Sequence, residues 1–293
     1  MTTALIDGDI LRYEIGYAAE TGWKSIVGEE GLEDAPLPPF DYVASLLQMR
    51  IEHIQYTVGA DDFILYLTEG DCFRNYIAKN KPYKGQRVDK KPFHHKNITA
   101  HMKAVYPTET VTWIEADDAM AIRQTISNNT CHCGGDVRKP TQSYPCTVGC
   151  QALEDTIICT RDKDLRQVPG LFFSWELGNQ PQIGPLHVDS LGSLTYEKGK
   201  VFGTGFKWFC AQVFMGDAAD NIPGLNKYGP VKAFGILNEA ESKAECTDLL
   251  IREYKAVHGE DWEQQLLEQG QLLWIVRELD SEGKPVLWQI GMS

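Results

Sequence analysis

The sequence is short of positive charge: 28 Lys and Arg stand against 41 Asp and Glu, a formal net charge of −13. That balance argues against a protein that coats nucleic acid without specificity. No apolar run approaches the roughly 18 residues a membrane span needs. The start, MTTALIDGDI, enters an apolar stretch with no basic region before it, so no membrane and no secretory signal are expected, and the setting is read as cytoplasmic. There is no glycine-rich GxxxxGK loop, which argues against an NTPase, and there are no internal repeats. What is present is a chain of 293 residues, 43% hydrophobic and 24% charged. Such a chain is globular and can form one large domain or two small ones.

Cysteine is not scarce, with eight in the chain. Four crowd into CHCGGDVRKPTQSYPCTVGC as Cys131, Cys133, Cys146 and Cys150. Two close pairs around a turn-rich loop resemble a small structural zinc site, with His132 as an alternative ligand. A reduced cysteine-rich insertion and a pair of disulfides are the other readings. Cys72, Cys159, Cys210 and Cys246 lie in or beside apolar stretches and are expected to be buried, inert thiols.

Strand and helix patterns alternate. TALIDGD reads as a strand and its loop, and residues 28–40 as a loop. FDYVASLLQMRIEHIQYTV reads as a helix stopping at Gly59, DFILYLT as a strand, ITAHMKAVY as a helix, ETVTWIE as a strand, ADDAMAIRQTIS as a helix and DTIICT as a strand. This predicts an α/β sheet with ligands bound beyond the carboxyl ends of its strands. Residues 76–96 are basic and Pro-containing, with seven Lys or Arg from Lys79 to Lys96 against the single acid Asp89. They are expected to form a mobile loop or a partly helical clamp. Residues 176–200 suggest a hairpin or irregular excursion, and the chain turns helical from Phe206. The expected division is an α/β core over 1–205, with the 131–150 insertion, and a helical region over 206–293.

Acidic residues gather in five clusters: IDGD, TEGD, IEADD, TRDKD and MGDAADN. Carboxylates at strand ends repel one another and lose hydration, so bringing them together calls for compensating charge. A hard divalent cation supplies it. Asp162 and Asp164 share a face of an extended chain, Asp217 and Asp220 a face of a helix, and Glu115, Asp117 and Asp118 straddle a strand-to-helix junction. With Asp7 they supply ligands for two ions, which suits chemistry on phosphate esters. The plain alternative is that these acids cap helices and fill turns.

In IPGLNKYGPVKA, Gly224 and Gly229 bracket a turn between two helical stretches. Small residues there let a phosphate backbone approach main-chain N–H groups. A helix-hairpin-helix grip on duplex DNA over 216–240 and a plain helical hairpin both fit this pattern.

IDGD, FR followed by YKGQR, IEADDAMA, TRDKDL and MGDAADNIPGLNKYGPVKA together resemble the 5′-nuclease superfamily. That family includes bacteriophage 5′→3′ exonucleases, flap endonucleases and the nuclease domain of bacterial DNA polymerases. The resemblance runs from Asp7 to about Leu237. It implies a mixed sheet with helices on both sides, two Mg²⁺ or Mn²⁺ ions, and DNA held through a C-terminal helix–three-turn–helix. It implies metal ligation by Asp7, Glu115, Asp117 and Asp118 in one region and by Asp162, Asp164, Asp217 and Asp220 in another. Lys84, Arg87 and Arg74 match catalytic basic residues. Arg12, Lys79, Lys81, Gly224, Lys227, Gly229 and Lys232 are the expected DNA contacts. The chain departs from the family in reading LTEGD where an aspartate commonly follows the second strand, which puts Glu69, or else Asp71, in that place.

The implied activity is 5′→3′ exonuclease action on duplex DNA with a free or nicked 5′ end, by a monomer in phage replication or recombination within the host cytoplasm. Flap cleavage and removal of RNA from RNA–DNA hybrids are alternatives. A noncatalytic DNA-binding protein on the same fold, or a phosphatase or ribonuclease on a related sheet, are the readings from other classes.

Overall fold

The computed structural model describes residues 1–27, 36–88, 90–129 and 155–292. Cys131, Cys133, Cys146 and Cys150 lie outside the described residues. The six-stranded sheet has the order β3-β2-β1-β4-β5-β6. Its strands are β1 (Thr2–Asp7), β2 (Asp62–Cys72), β3 (Thr108–Trp113), β4 (Asp155–Cys159), β5 (Gly170–Ser174) and β6 (Ile183–Val188). β1 to β5 run parallel, and among the described strands of this sheet only the edge strand β6 is antiparallel. β1 reads as an unbroken apolar run because both its faces are covered: Ala4, Leu5 and Ile6 are fully buried.

Helices cover both faces, as expected. α1 (Gly8–Val27), α2 (Phe40–Val58) and α4 (His95–Val105) pack together, and Leu11, Leu47, Ile51 and Ile98 meet Ile6 and Leu65 in one apolar cluster. α5 (Ala116–Asn129) lies on the other face, where Met120 and Ala121 meet Leu5, Tyr66 and Ile158. The short α3 (Arg74–Ile77) follows β2. After the hairpin β7 (Leu194–Glu197) and β8 (Lys200–Gly203), the chain becomes helical with α6 (Gly205–Met215), α7 (Pro230–Leu237), α8 (Lys243–His258) and α9 (Trp262–Leu273). These pack around Phe209, Phe214, Tyr254 and Trp288.

Three features depart from the sequence reading. Residues 8–27 are a helix that leaves β1 with no intervening loop. The junction requires Gly8, since a Cβ there would stand 2.7 Å from the Tyr66 carbonyl oxygen. The excursion after Trp175 builds both the antiparallel edge strand and a separate hairpin. Past α9 the chain returns to the core: the side chain of Gln167 donates to Leu273 O at 3.0 Å, and its oxygen accepts from Ile275 N at 3.1 Å.

α6 ends at Met215 with Gly216 as its cap, and α7 starts at Pro230, which serves as an N-terminal helical proline. The loop between them closes on itself, with Asp217 N donating to Ile222 O at 2.9 Å and Ile222 N to Asp217 O at 2.8 Å. Gly216 and Gly224 touch there with φ of 73° and 66°, and a Cβ on Gly224 would lie 2.2 Å from Gly216 N. Neither glycine tolerates a side chain.

Candidate active site

The strand order turns back at β1, with β2 on one side and β4 on the other. At such a switch point the connections leaving adjacent strands diverge and open a crevice at their carboxyl ends. Asp7 is the last residue of β1, and Thr160 just past β4 donates its hydroxyl to Asp7 Oδ2 at 2.7 Å. Asp9, in the first turn of α1, accepts Thr68 N at 3.1 and 3.2 Å. The Thr68 hydroxyl accepts Ala116 N at 2.8 Å and so fixes the start of α5, which carries Asp117 next to Glu115. The outcome is a cleft of about 330 Å³ lined by Asp7, Asp9, Glu115, Asp117 and Asp162, with Lys84 and Arg87 on its wall.

These carboxyls are poorly neutralised. Burial, and then the charge of Asp9, push Asp7 up to about 7. Burial followed by repulsion from Asp7 and Asp162 pushes Asp117 well above the usual carboxylate range. Asp9 and Asp162 are raised by the same loss of hydration. Glu115 is the exception: burial pushes its carboxyl up, but Lys84 and then Arg74 overcome this and hold it at about 2.

A second group of acids adjoins the first. Asp164 N donates to Asp162 Oδ1 at 2.8 Å, and burial and the charge of Asp162 raise the Asp164 carboxyl to about 7. Lys163 lies 3.1 Å from Asp164 and also pairs with Asp217. Asp220 pairs with Arg87, and the Tyr83 hydroxyl sits 2.8 Å from Glu115 and 3.0 Å from Asp220.

The basic segment is fastened at three places. Lys79 N and Asn80 N donate to Glu268 on α9 at 2.8 and 2.7 Å. In the middle, Lys84 N donates to Asp220 O at 3.0 Å, and Asn221 Nδ2 to Pro82 O at 2.9 Å. Beyond that, the Tyr17 hydroxyl donates to Lys90 O at 2.8 Å and Phe93 N donates to Glu20 at 2.7 Å, Tyr17 and Glu20 both lying on α1. Of the expected mobile loop or partly helical clamp, the described residues form a strap joining α9, the 216–229 loop and α1. It carries Lys84 and Arg87 over the carboxylates.

Several anticipated residues lie elsewhere. Arg74 is buried behind the cleft, its guanidinium forked onto Asp118 at 2.7 and 2.8 Å. It also donates to Leu272 O at 3.1 Å and Trp274 O at 2.7 Å, and reaches Glu115 at 3.0 Å. Asp118 additionally accepts Glu115 N and Val276 N at 3.0 and 2.9 Å, so its oxygens are fully engaged away from the cleft. Arg74 and Asp118, expected as a catalytic residue and a metal ligand, thus pair with each other behind the cleft and do not line it. Glu69 pairs with Lys103 on α4, and Asp71 accepts its own neighbours, Cys72 N at 2.9 Å and the Tyr76 hydroxyl at 2.7 Å. Neither lines the cleft, because β2 slips register between Thr68 and Cys72 and turns the TEGD segment outward.

Arg12 pairs with Asp9 at 2.7 Å. Lys79, Lys81, Lys227, Gly229 and Lys232 are exposed, with Lys232 3.4 Å above the Tyr228 ring, and Gly224 N donates to Gln269 at 3.0 Å. Sequence reasoning passed over Asp9, though it stands in the IDGD cluster, and over Lys163, visible between Asp162 and Asp164. Tyr83, and Gln212 on α6, whose side-chain amide donates to Asp164 Oδ1 at 2.5 Å, carried no local signal. Among the described residues, Cys72, Cys159, Cys210 and Cys246 are free and buried.

Among the described residues no three carboxylate, His or Cys groups already close into a coordination shell. Several of these acids instead turn to Lys84, Arg87 and Lys163. The donor chemistry nevertheless fits a hard divalent cation: buried oxygen donors with carboxyls pushed toward neutrality mark a place short of positive charge. Among the described residues no helix is long and apolar enough to cross a membrane.

No protein-family model matches the chain, and no curated protein matches it by sequence. Solved structures do. The bacteriophage T5 D15 protein co-crystallised with metal ions aligns with TM-score 0.52 and 18% identity, over 93% of this chain and 86% of that one. The T5 D15 flap endonuclease in a pseudo-enzyme–product complex with DNA and metal ions gives 0.55 and 17% over the same shares. The T5 5′-exonuclease with bound zinc gives 0.54 and 19%, again over 93% and 86%. The chain has the fold of the bacteriophage T5 5′-nuclease structures.

Proposed function

We propose that this protein is a divalent-metal-dependent nuclease that hydrolyses phosphodiester bonds from the 5′ ends of duplex DNA. The observation that carries this reading is the convergence of Asp7, Asp9, Glu115, Asp117 and Asp162 on one cleft, beneath a strap bearing Lys84 and Arg87. The fold shared with metal- and DNA-bound T5 structures supports it.

The residues that would hold metal are Asp7, Asp117 and Asp162 in the cleft, with Asp164, Asp217 and Asp220 beside them for a second ion. Mg²⁺ or Mn²⁺ suits an all-oxygen donor set. Such ions, when bound, supply an activated water and stabilise the leaving oxygen. The chain itself contributes positioning. Lys84, whose charge Glu115 and Asp220 reinforce against the effect of burial, faces the carboxylates and offers N–H donors to phosphate oxygens. Arg87 is half exposed and offers a planar fork to a second oxygen once a phosphate competes with Asp220. Residues 216–240, with Lys227 in the loop and Lys232 on α7 exposed, form the duplex-facing element, a helix-hairpin-helix grip independent of base sequence. The active unit is a monomer working in the cytoplasm of a phage-infected host. For Cys131, Cys133, Cys146 and Cys150 we retain structural zinc as the assignment.

The test is a duplex labelled separately at its 5′ and 3′ ends, incubated with Mg²⁺ or EDTA, against an Asp162→Ala/Asp164→Ala control. Mg²⁺-dependent release of short products from the 5′ label, lost in the double variant, is the expected result. Cuts only at flap junctions would move the assignment to a structure-specific endonuclease, and cleavage confined to hybrids would move it to RNA removal. Tight duplex binding with no cleavage of any substrate would refute the enzyme.

A further inference from the structure

The crevice does not end at Asp162. It continues along the carboxyl ends of β4 and β5 as a larger cleft of about 610 Å³ that shares Ile10, Asp162 and Lys163 with the active-site region. None of the acids assigned to metal apart from Asp162 lines it. Its charged walls are instead cationic: Arg161, Lys163, Arg166 and Lys200. Lys163 is committed to Asp164 and Asp217. Arg161 is pinned by Ser174 Oγ at 3.1 Å and by Trp175 O and Gln180.

Arg166 is different. Among the described residues its guanidinium has no hydrogen-bond or ion-pair partner and its Nε is buried and unsatisfied; burial outweighs the attraction of Asp162 and Asp164, which act on it through space without contact. It stands on the partition between this cleft and an adjoining one of about 340 Å³, with Pro181, Ile183 and Phe202 lining both. Among the described residues the only acid in the adjoining cleft, Glu197, is exposed and 3.7 Å from Lys198. An unpartnered guanidinium against apolar walls is costly unless an anion completes it. Across from it, Phe202 leaves 42% of its surface exposed, a flat apolar face opening into the same space. Cation and aromatic face together match the two halves of a nucleotide, and the volume lies within the range of small-molecule sites.

We propose that this cleft is a nucleotide subsite: Arg166, aided by Lys200, binds a phosphate of the strand next to the one being cut, while Phe202 stacks on the attached base. The subsite rests on the nuclease reading for its purpose but not for its detection. It is tested by titrating dAMP into the full-length protein in EDTA, where no cleavage occurs, and following binding by calorimetry. The same titration is run on Arg166→Met, Arg166→Lys and Phe202→Ala. Wild-type protein is expected to bind dAMP. Arg166→Met weakens that binding at least ~10-fold, as loss of a charge-assisted hydrogen bond does, and Arg166→Lys restores part of it. Phe202→Ala weakens it ~5-fold or more through lost stacking.

Unchanged thermal melting confirms that each variant is folded. Failure of dAMP to bind at millimolar concentration, binding indifferent to Arg166 and Phe202, or inorganic phosphate binding as tightly as dAMP would each overturn the subsite. If dAMP binds through Arg166 while no DNA is cleaved, the subsite stands and the nuclease reading falls. If DNA is cleaved while dAMP binding ignores Arg166, the nuclease stands alone.

Discussion

Replacing Arg74 by Met should damage the fold of this protein before it touches the chemistry. The guanidinium is 1% exposed and its partner Asp118 fully buried. Two parallel bonds of 2.7 and 2.8 Å join them, and the remaining donors reach Leu272 O, Trp274 O and Glu115. Removing one side of a buried, fully hydrogen-bonded pair leaves the other charge without compensation, a loss of about 3–5 kcal/mol. At about 2–4 °C per kcal/mol for a chain of this size, the melting temperature should fall by about 6–20 °C. Arg74→Lys keeps the charge but not the fork, and should fall in between. Differential scanning calorimetry on Arg74→Met, Asp118→Asn and the double variant provides the measurement. The double variant should lose less than the sum of the singles, since each removes the same interaction. An Arg74→Met protein that melts with the wild type yet has lost cleavage would refute this reasoning and return Arg74 to the reacting phosphate.

Other outcomes follow from the site. Asp7 and Asp164, raised to about 7 from an unfolded value near about 3.9, add stability that is complete below the unfolded value and lost as pH climbs through 7. Metal-free protein should therefore melt lower at about pH 8 than at about pH 5.5, and Mg²⁺ should raise the melting point more at the higher pH; an equal Mg²⁺ shift at both would contradict the assignment. Lys84→Ala should cut the cleavage rate by about 10²–10³, the effect of removing one preorganised donor, with single-turnover kinetics as the readout. Glu69→Gln and Asp71→Asn should keep cleavage within about twofold, since both side chains are engaged outside the cleft, whereas Asp9→Asn should depress it clearly. Gly224→Ala should lower stability by about 1–3 kcal/mol, because φ is 66° and the new Cβ meets Gly216; a denaturant midpoint equal to wild type would count against the tight-loop reading.

The sheet and its acids were legible where local rules suffice. Asp7 and Asp162 announce themselves by following apolar strands, and the Phe40–Val58 helix by its spacing and its left-handed Gly59 stop. Asp118 shows what such rules miss. It adjoins Asp117, but one helical residue is a rotation of about 100°, so one carboxylate faces the cleft and the other the interior. Its partners, Arg74 and Val276, are 44 and 158 residues away. Glu69 fails for the opposite reason: a register slip in β2, invisible in composition, turns TEGD toward Lys103. α1 went unread because the acids of IDGD, taken as a loop, also form the first turn of a helix. Arg166 reads locally as one more charge in a turn, and only the assembled walls around it show that it stands without a partner.

The return of residues 272–277 to the core has a bearing on timing. Arg74, Gln167 and Asp118 all take backbone partners from this stretch. During synthesis every cleft carboxylate leaves the ribosome well before them, yet Glu115 and the start of α5 lack their buried backing until Val276 arrives. A growing chain thus carries the whole acidic set before it has the buried frame that aligns it.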